Sequence, residues 1–433
     1  MGIDSSLLFV LLILQVTLFY RYMRVSMLSP LFWFLFFGIT LPFIISPFVL
    51  LLLESPGITE YHEYLSEAYF IINIIFFSWS IGYYVIAGKR KFNWQKSDSV
   101  RPFMFKYGLF LIFIGIGIYV FFWYYVGISF FSAFAEPLAT RFKIINTTGA
   151  YHIRNIGIWC MLSGYFIMYF SGDDIFKKKK IAFFSMILFF IIVIFTPLGE
   201  RSKMIFPILM LTLALFYDGL ISKKILLIPV IVVFFAIPFL GLYRSMGESG
   251  QDFSAYELFS IFGQNSLLGI LLQFFMRSNA FEYFLLFLAN KDDLYMSFNS
   301  SIISLITRFM PVSMIGGHKP LDLDGYLTSE LIMDPAYGQF HFTVFPEWYL
   351  NFNVLGYVIM AFLSGMFYAK LISYFDNTPN NIFLIVLFSN LFIFNWSFIR
   401  INNALTVEHI YFLIFALFIS MSYKILLRLG KKS

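Results

Sequence analysis

Charge is scarce in this chain. Only 12% of its 433 residues are Asp, Glu, Lys or Arg, about half the share of a soluble domain, while 60% are hydrophobic and the mean hydropathy is +0.81. So little charge cannot hold that much apolar surface in water, which excludes an ordinary soluble domain and leaves lipid as the solvent. Cysteine is nearly absent. Cys160 stands alone inside an apolar run, so there is no disulfide framework, and the residue reads as a small packing group. No Gly-x-x-x-x-Gly-Lys-Ser/Thr element occurs, which excludes an ATP-driven machine of that class. No His-Glu-x-x-His or Cys/His zinc pattern occurs either. Asp322 and Asp324, flanking Leu323, are a closely paired carboxylate element. They read as a metal-holding pair or as a solvated turn before Gly325; the turn is the preferred reading, and neither a metal nor another cofactor is expected. Ionisable residues are nearly missing from the centres of the apolar runs, and no two halves repeat interrupted helices. Both features argue against an ion-coupled carrier.

What the chain does have is long apolar runs rich in aromatics: 22% of its residues are Phe, Trp or Tyr. Runs long enough to cross a bilayer lie near 5–20, 30–53, 68–87, 107–127, 155–171, 181–197, 204–221, 225–243, 349–370, 381–398 and 409–426. The first lacks a basic leading segment and is followed by Arg21 and Arg24, so it reads as a membrane helix rather than a signal peptide. The basic clusters Lys89-Arg90-Lys91, Lys177 to Lys180, Lys223-Lys224, Lys370 and Lys424 to Lys432 fall on alternate sides of successive runs. Placing them all inside puts the N-terminus outside and the C-terminus inside. Then 19 Lys/Arg lie inside against 11 outside, as the positive-inside rule requires. The net charge of +6 therefore reflects topology, and nucleic acid is not an expected partner. The expected fold is an all-α polytopic membrane protein of about 11 transmembrane helices. Residues 1–243 form an N-terminal bundle of about eight, 244–348 a large extracytoplasmic loop, and 349–433 three more spans with a basic tail.

Within that loop, Tyr256 to Asn290 is apolar but broken by Gln264, Asn265, Gln273, Arg277 and Glu282. The pattern predicts interfacial or re-entrant helices. Thr307 to Tyr349 is polar and rich in Gly and Pro, the composition of a structured functional loop. The two faces also differ in their cations. Inside, 14 of 19 basic residues are Lys; outside, 7 of 11 are Arg (Arg141, Arg154, Arg201, Arg244, Arg277, Arg308 and Arg400). The arginine fork grips phosphate bidentately, whereas lysine is a point charge. Each arginine alone also reads as a snorkelling or carboxylate-paired residue.

Four segments then carry a resemblance. TPLGERSKMIFPILM (196–210) is similar to the Gly-x-Arg element of O-antigen and oligosaccharide repeat-unit polymerases of the Wzy type. GLYRS (241–245), RFMPVSMIGGHKP (308–320) and VFPEWYLNFNVLGYVIMAFLSGMFY (344–368) resemble that family's later elements, in the same order. The likeness covers about residues 190–370, and the first half is alike in hydropathy only. The resemblance implies a membrane glycosyltransferase of GT-C-like architecture in a bacterial cytoplasmic membrane, acting at its outer face. Such an enzyme moves a growing glycan from one undecaprenyl diphosphate carrier onto a fresh lipid-linked repeat unit. The implied partners are that lipid-linked oligosaccharide, membrane lipid, and a chain-length regulator and flippase of the same pathway. Arg201, Arg244 and Arg308, supported by Arg277 and Lys319, are the cations expected on the leaving diphosphate. His341, His318, Glu347 and Glu200 are the candidates for the base that takes the acceptor's proton. Glu347 also reads as a first-turn acidic residue after Pro346. An O-antigen ligase and a lipid-linked oligosaccharide flippase or transporter remain open beside the polymerase.

Overall fold

The structure is a computed structural model. It describes residues 3–23, 25, 30–52, 56–88, 102–135, 140, 143–144, 147, 149–171, 180–195, 201–222, 280–294, 323–331, 343–375, 381–389 and 403–430. The longer regular segments among these are all helical. In chain order they are α1 (Ile3–Tyr22), α2 (Pro30–Leu35), α3 (Ser46–Leu52), α4 (Pro56–Glu60), α5 (Leu65–Ala87), α6 (Pro102–Val126), α7 (Phe130–Ala135), α8 (Ala150–Ser171), α9 (Lys180–Phe195), α10 (Arg201–Tyr217), α11 (Ala280–Asn290), α12 (Leu323–Leu331), α13 (Val344–Phe352), α14 (Val354–Phe375), α15 (Ile382–Ser389) and α16 (Asn403–Gly430). A π-helical stretch, Phe36–Ile45, joins α2 to α3. Among the described residues, five helices are long and apolar enough to cross a membrane: Asp4–Tyr22, His62–Ala87, Pro102–Val126, Val354–Ser373 and Tyr411–Leu429. This is a helical membrane protein. A helix is what such a sequence must form in lipid, where every backbone group has to be satisfied within its own segment.

The apolar surface agrees. Leu7, Val10, Leu14 and Leu18 form one exposed stripe on α1, and Phe70, Phe77, Ile81 and Val85 line another on α5. In water these would be exposed patches larger than a monomer carries; against acyl chains they cost nothing.

Contacts sort the chain into two compact units, each assembled from distant segments. The first comprises residues 1–93, 275–376 and 394–412, and the second 94–274, 377–393 and 413–433. The division expected along the chain follows membrane crossings, whereas packing groups the helices by neighbour.

In the first unit, α1 and α5 run side by side in one direction. Asn73 Nδ2 donates to the Leu8 carbonyl, the Phe19 ring meets Phe76, Trp79 and Tyr83, and the Tyr22 hydroxyl reaches Tyr84. The third long helix, α14, crosses α5 at two glycines. Gly82 lies on the Phe362 carbonyl, and Gly365 lies reciprocally on the Trp79 carbonyl. Small residues let two membrane helices approach at backbone distance, where dispersion replaces the missing hydrophobic drive. Lys291, just past α11, pairs with Glu67 of α5, and Phe287 of α11 meets Tyr349, whose ring stacks on Tyr357 of α14, so α5 and α14 start at the same end. Helices α1, α5 and α14 thus run in one direction.

Two expected spans are interrupted. The run near 30–53 contains Pro42, which has no N–H to donate, and the ladder there widens to π geometry across ten residues. The run near 349–370 is two helices, α13 and α14, parted at Asn353, the one non-glycine residue with positive φ among the described residues (φ 57°, ψ −153°). Gly356 lets the first turn of α14 press onto the Trp348 carbonyl.

In the second unit, α6 and α8 are antiparallel along a glycine seam. A Cβ on Gly108 would lie 2.6 Å from the Gly164 carbonyl, and one on Gly115 would lie 2.8 Å from that of Gly157. The start of α6 is tied to the end of α16, where the Tyr107 hydroxyl donates to the Ile419 carbonyl and meets the Ser422 hydroxyl. At the joined ends of α8, α9 and α10, the Tyr165 hydroxyl donates to the Phe184 carbonyl and the Tyr169 hydroxyl to Asp218.

Candidate functional site

A cluster of described polar residues of the first unit lies where α5 and α14 begin. Helix α11 is the wedge at this end. Phe281, Phe284, Leu285, Phe287 and Leu288 are all at most 1% exposed, so protein rather than lipid covers it on nearly every side. It is the described part of the segment expected to be interfacial or re-entrant. The Phe281 ring packs on Phe43 and Tyr69, and Phe284 packs on Phe345 of α13. Eleven residues of this composition are too short to cross a bilayer and apolar enough to need a core, and neighbouring helices provide that core.

Lys291 follows the last turn of α11 and pairs with Glu67, in the first turn of α5. Each charge suits its helix end: a cation at the C-terminus of α11 and a carboxylate at the N-terminus of α5. Their side chains are 18% and 38% exposed, so the pair is accessible and contributes at most about 1 kcal/mol. On α13, Tyr349 is half-buried. Its ring stacks on Tyr357 of α14 (centroids 5.8 Å apart) and meets the edge of Phe287. The Tyr357 hydroxyl is buried with no hydrogen-bond partner among the described residues. Asn353 holds this corner closed: its N–H donates to the Tyr349 carbonyl, and its side-chain oxygen accepts from Val354. Its backbone conformation is one that glycine adopts freely, and in other residues it costs on the order of 1–3 kcal/mol.

Of the expected site residues, Glu347 is fully described. It sits half-buried in the first turn of α13, the place read for it after Pro346, and the Asn351 amide donates to its backbone carbonyl. Arg201 is the first residue of α10. Its side chain lies outside the described residues, as do Glu200, Arg244, Arg277, Arg308, His318, Lys319 and His341. Asp322 and the side chain of Asp324 lie outside them too, and no group of three His, Cys, Asp or Glu that could hold a metal occurs among those described.

Arg154 in the second unit departs from the snorkelling alternative. It is 3% exposed, with its guanidinium 4.6 Å from the Tyr151 ring centroid and a contact to the Asn155 side-chain oxygen. Sequence reading counted Arg154 among the outer arginines but gave no role to Glu67 or Lys291. Each bounds an apolar run, an ordinary place for a charge, and a separation of 224 positions hides the pairing. Compared with protein-family models, curated proteins and solved structures, the chain shows no match.

Proposed function

We propose that this protein polymerises undecaprenyl-diphosphate-linked oligosaccharide repeat units at the outer face of a bacterial cytoplasmic membrane, as its resemblance to the Wzy-type polymerases implies. The architecture proposed with it has about 11 spans of GT-C-like arrangement, with the N-terminus outside. The observation that carries the reading is the position of Arg201. The Gly-x-Arg element, first in the ordered series of resembling segments, ends where α10 begins, and a helix entrance with an arginine is an anion-binding arrangement.

In the proposed reaction a hydroxyl of the acceptor repeat unit attacks the anomeric carbon of the donor glycan. The new C–O bond forms as the bond from that carbon to the diphosphate oxygen breaks, and undecaprenyl diphosphate leaves. The hydroxyl proton passes to a base, with His341, His318, Glu347 and Glu200 as candidates. Arg201, Arg244 and Arg308, with Arg277 and Lys319, take the charge that grows on the leaving diphosphate, which removes the need for a metal. A chain-length regulator and a flippase of the same pathway are the proposed partners.

The test is genetic. Arg201→Ala and Arg308→Ala variants are expressed in a strain deleted for the gene, membrane levels are checked, and the surface glycans are resolved on a gel. Loss of the long ladder with single repeats still displayed supports the polymerase. Loss of every repeat points instead to a ligase or flippase. An intact ladder in both variants removes the diphosphate role from these arginines.

A further inference from the structure

We infer that the corner formed by the first turns of α5 and α14, the end of α11 and the end of α13 is a saccharide subsite, taking one uncharged sugar ring through Glu67, Lys291, Tyr349 and Tyr357. The inference rests on the polymerase reading for the source of its ligand and on independent geometry for the site itself.

Charge selects the ligand. Glu67 and Lys291 neutralise each other and Asp292 and Asp293 follow directly, so the corner has no surplus cation to offer a phosphate, and no group of three metal-ligating side chains occurs among the described residues. What remains is one acceptor group beside one donor group, both accessible. A pair of neighbouring sugar hydroxyls, each able to donate and accept, matches that set. The flat part of the site is Tyr349, whose half-buried ring is fixed in orientation by stacking on Tyr357 and by the edge of Phe287. A fixed aromatic face beside a carboxylate and an ammonium offers the C–H face of a pyranose a platform and its rim a set of hydrogen bonds.

Two further observations point to a ligand. The Tyr357 hydroxyl, on a residue 1% exposed, has no hydrogen-bond partner among the described residues, and its ring lies under Tyr349. A buried hydroxyl left unpaired is costly, and a ligand hydroxyl at this corner would satisfy it. Asn353, in its glycine-like backbone conformation, fixes the break that sets Tyr349 over Tyr357. Backbone strain of this kind concentrates at ligand clamps and active sites.

The experiment uses the full-length protein in lipid nanodiscs and saturation-transfer difference NMR. The probes are the methyl pyranosides of glucose, galactose and mannose, N-acetylglucosamine, and inorganic diphosphate as the anionic control. At least one neutral glycoside is expected to receive saturation at its ring protons. The signal should fall by roughly fivefold in Glu67→Gln, which replaces a charge-assisted hydrogen bond by a neutral one, and vanish in Tyr349→Ala. Glu67→Gln preserves shape and is the variant that guards against misfolding; melting curves accompany both.

No transfer to any neutral glycoside in the unaltered protein overturns the inference, as does transfer that both variants leave unchanged. Diphosphate binding that is lost in Lys291→Met, without glycoside transfer, overturns the choice of an uncharged ring. Failure of the polymerase reading is separable. Glycoside binding that depends on Tyr349, in a protein whose deletion leaves the glycan ladder intact, keeps the subsite and removes the polymerase. A ladder that requires Arg201, in a protein that binds no glycoside, does the reverse.

Discussion

Replacing Gly108 by alanine puts a methyl group into the seam between α6 and α8. The new Cβ would lie 2.6 Å from the Gly164 carbonyl oxygen and 2.9 Å from the Met168 nitrogen, both backbone atoms that cannot rotate aside. Ordinary Cβ contacts begin near 3.4 Å, so the helices must part locally by about 0.8 Å. A gap of that size forfeits roughly a quarter to a half of the dispersion energy of each contact across it. The facing pair Gly115 and Gly157, seven residues along each helix, opens with it. The expected loss is about 1–3 kcal/mol of stability, in the range found for overpacked cores. Gly117 is the internal control. It lies on the same helix with nothing within 4 Å of its Cβ position, and there alanine should be neutral or stabilising by about 0.5–1 kcal/mol through helix propensity. The assay is the unfolding midpoint of each purified variant in a dodecyl maltoside to dodecyl sulfate titration. Opposite signs for the two alanines are expected. Equal shifts, or a stabilised Gly108→Ala, would refute the close approach of α6 and α8.

Phe284→Ala empties a fully buried ring site at the centre of the α11 wedge and should cost about 3–5 kcal/mol, read as a lowered melting temperature and loss of folded protein in membranes. Asn353→Gly relieves the positive-φ backbone and should raise the unfolding midpoint by about 1 kcal/mol, while Asn353→Val should lower it. Glu67→Gln should change stability by less than about 1 kcal/mol, because the Lys291 pair is accessible; a larger loss in the same titration would make the pair a structural staple.

The membrane helices were legible because their signal is composition over a long stretch. The expected 68–87 and 107–127 runs are α5 and α6, which begin three and five residues earlier and end at Ala87 and Val126. Interruptions were not legible in the same way. Pro42 widening the ladder and Asn353 parting α13 from α14 are single-residue events inside runs that are apolar on average. The short helix α11 was legible only as interfacial or re-entrant. Its apolar composition matches an interfacial segment, and only its neighbours show that protein encloses it. Among the candidate site residues, the helix-start positions of Arg201 and Glu347 follow from local sequence, a Gly-x-Arg turn and a Pro-Glu entry. The pairing of Glu67 with Lys291 and the stacking of Tyr349 on Tyr357 follow from which helices meet, which no local pattern encodes.

The proposed activity is tested most directly by reconstitution. The purified protein is placed in liposomes with undecaprenyl-diphosphate-linked repeat units extracted from a strain lacking the gene, without nucleotide or added metal, and the products are sized by mass spectrometry. The polymerase reading predicts lipid-linked glycans of two, three and more repeats, with one undecaprenyl diphosphate released for every bond formed. Repeat units that stay single in the presence of folded protein would contradict it.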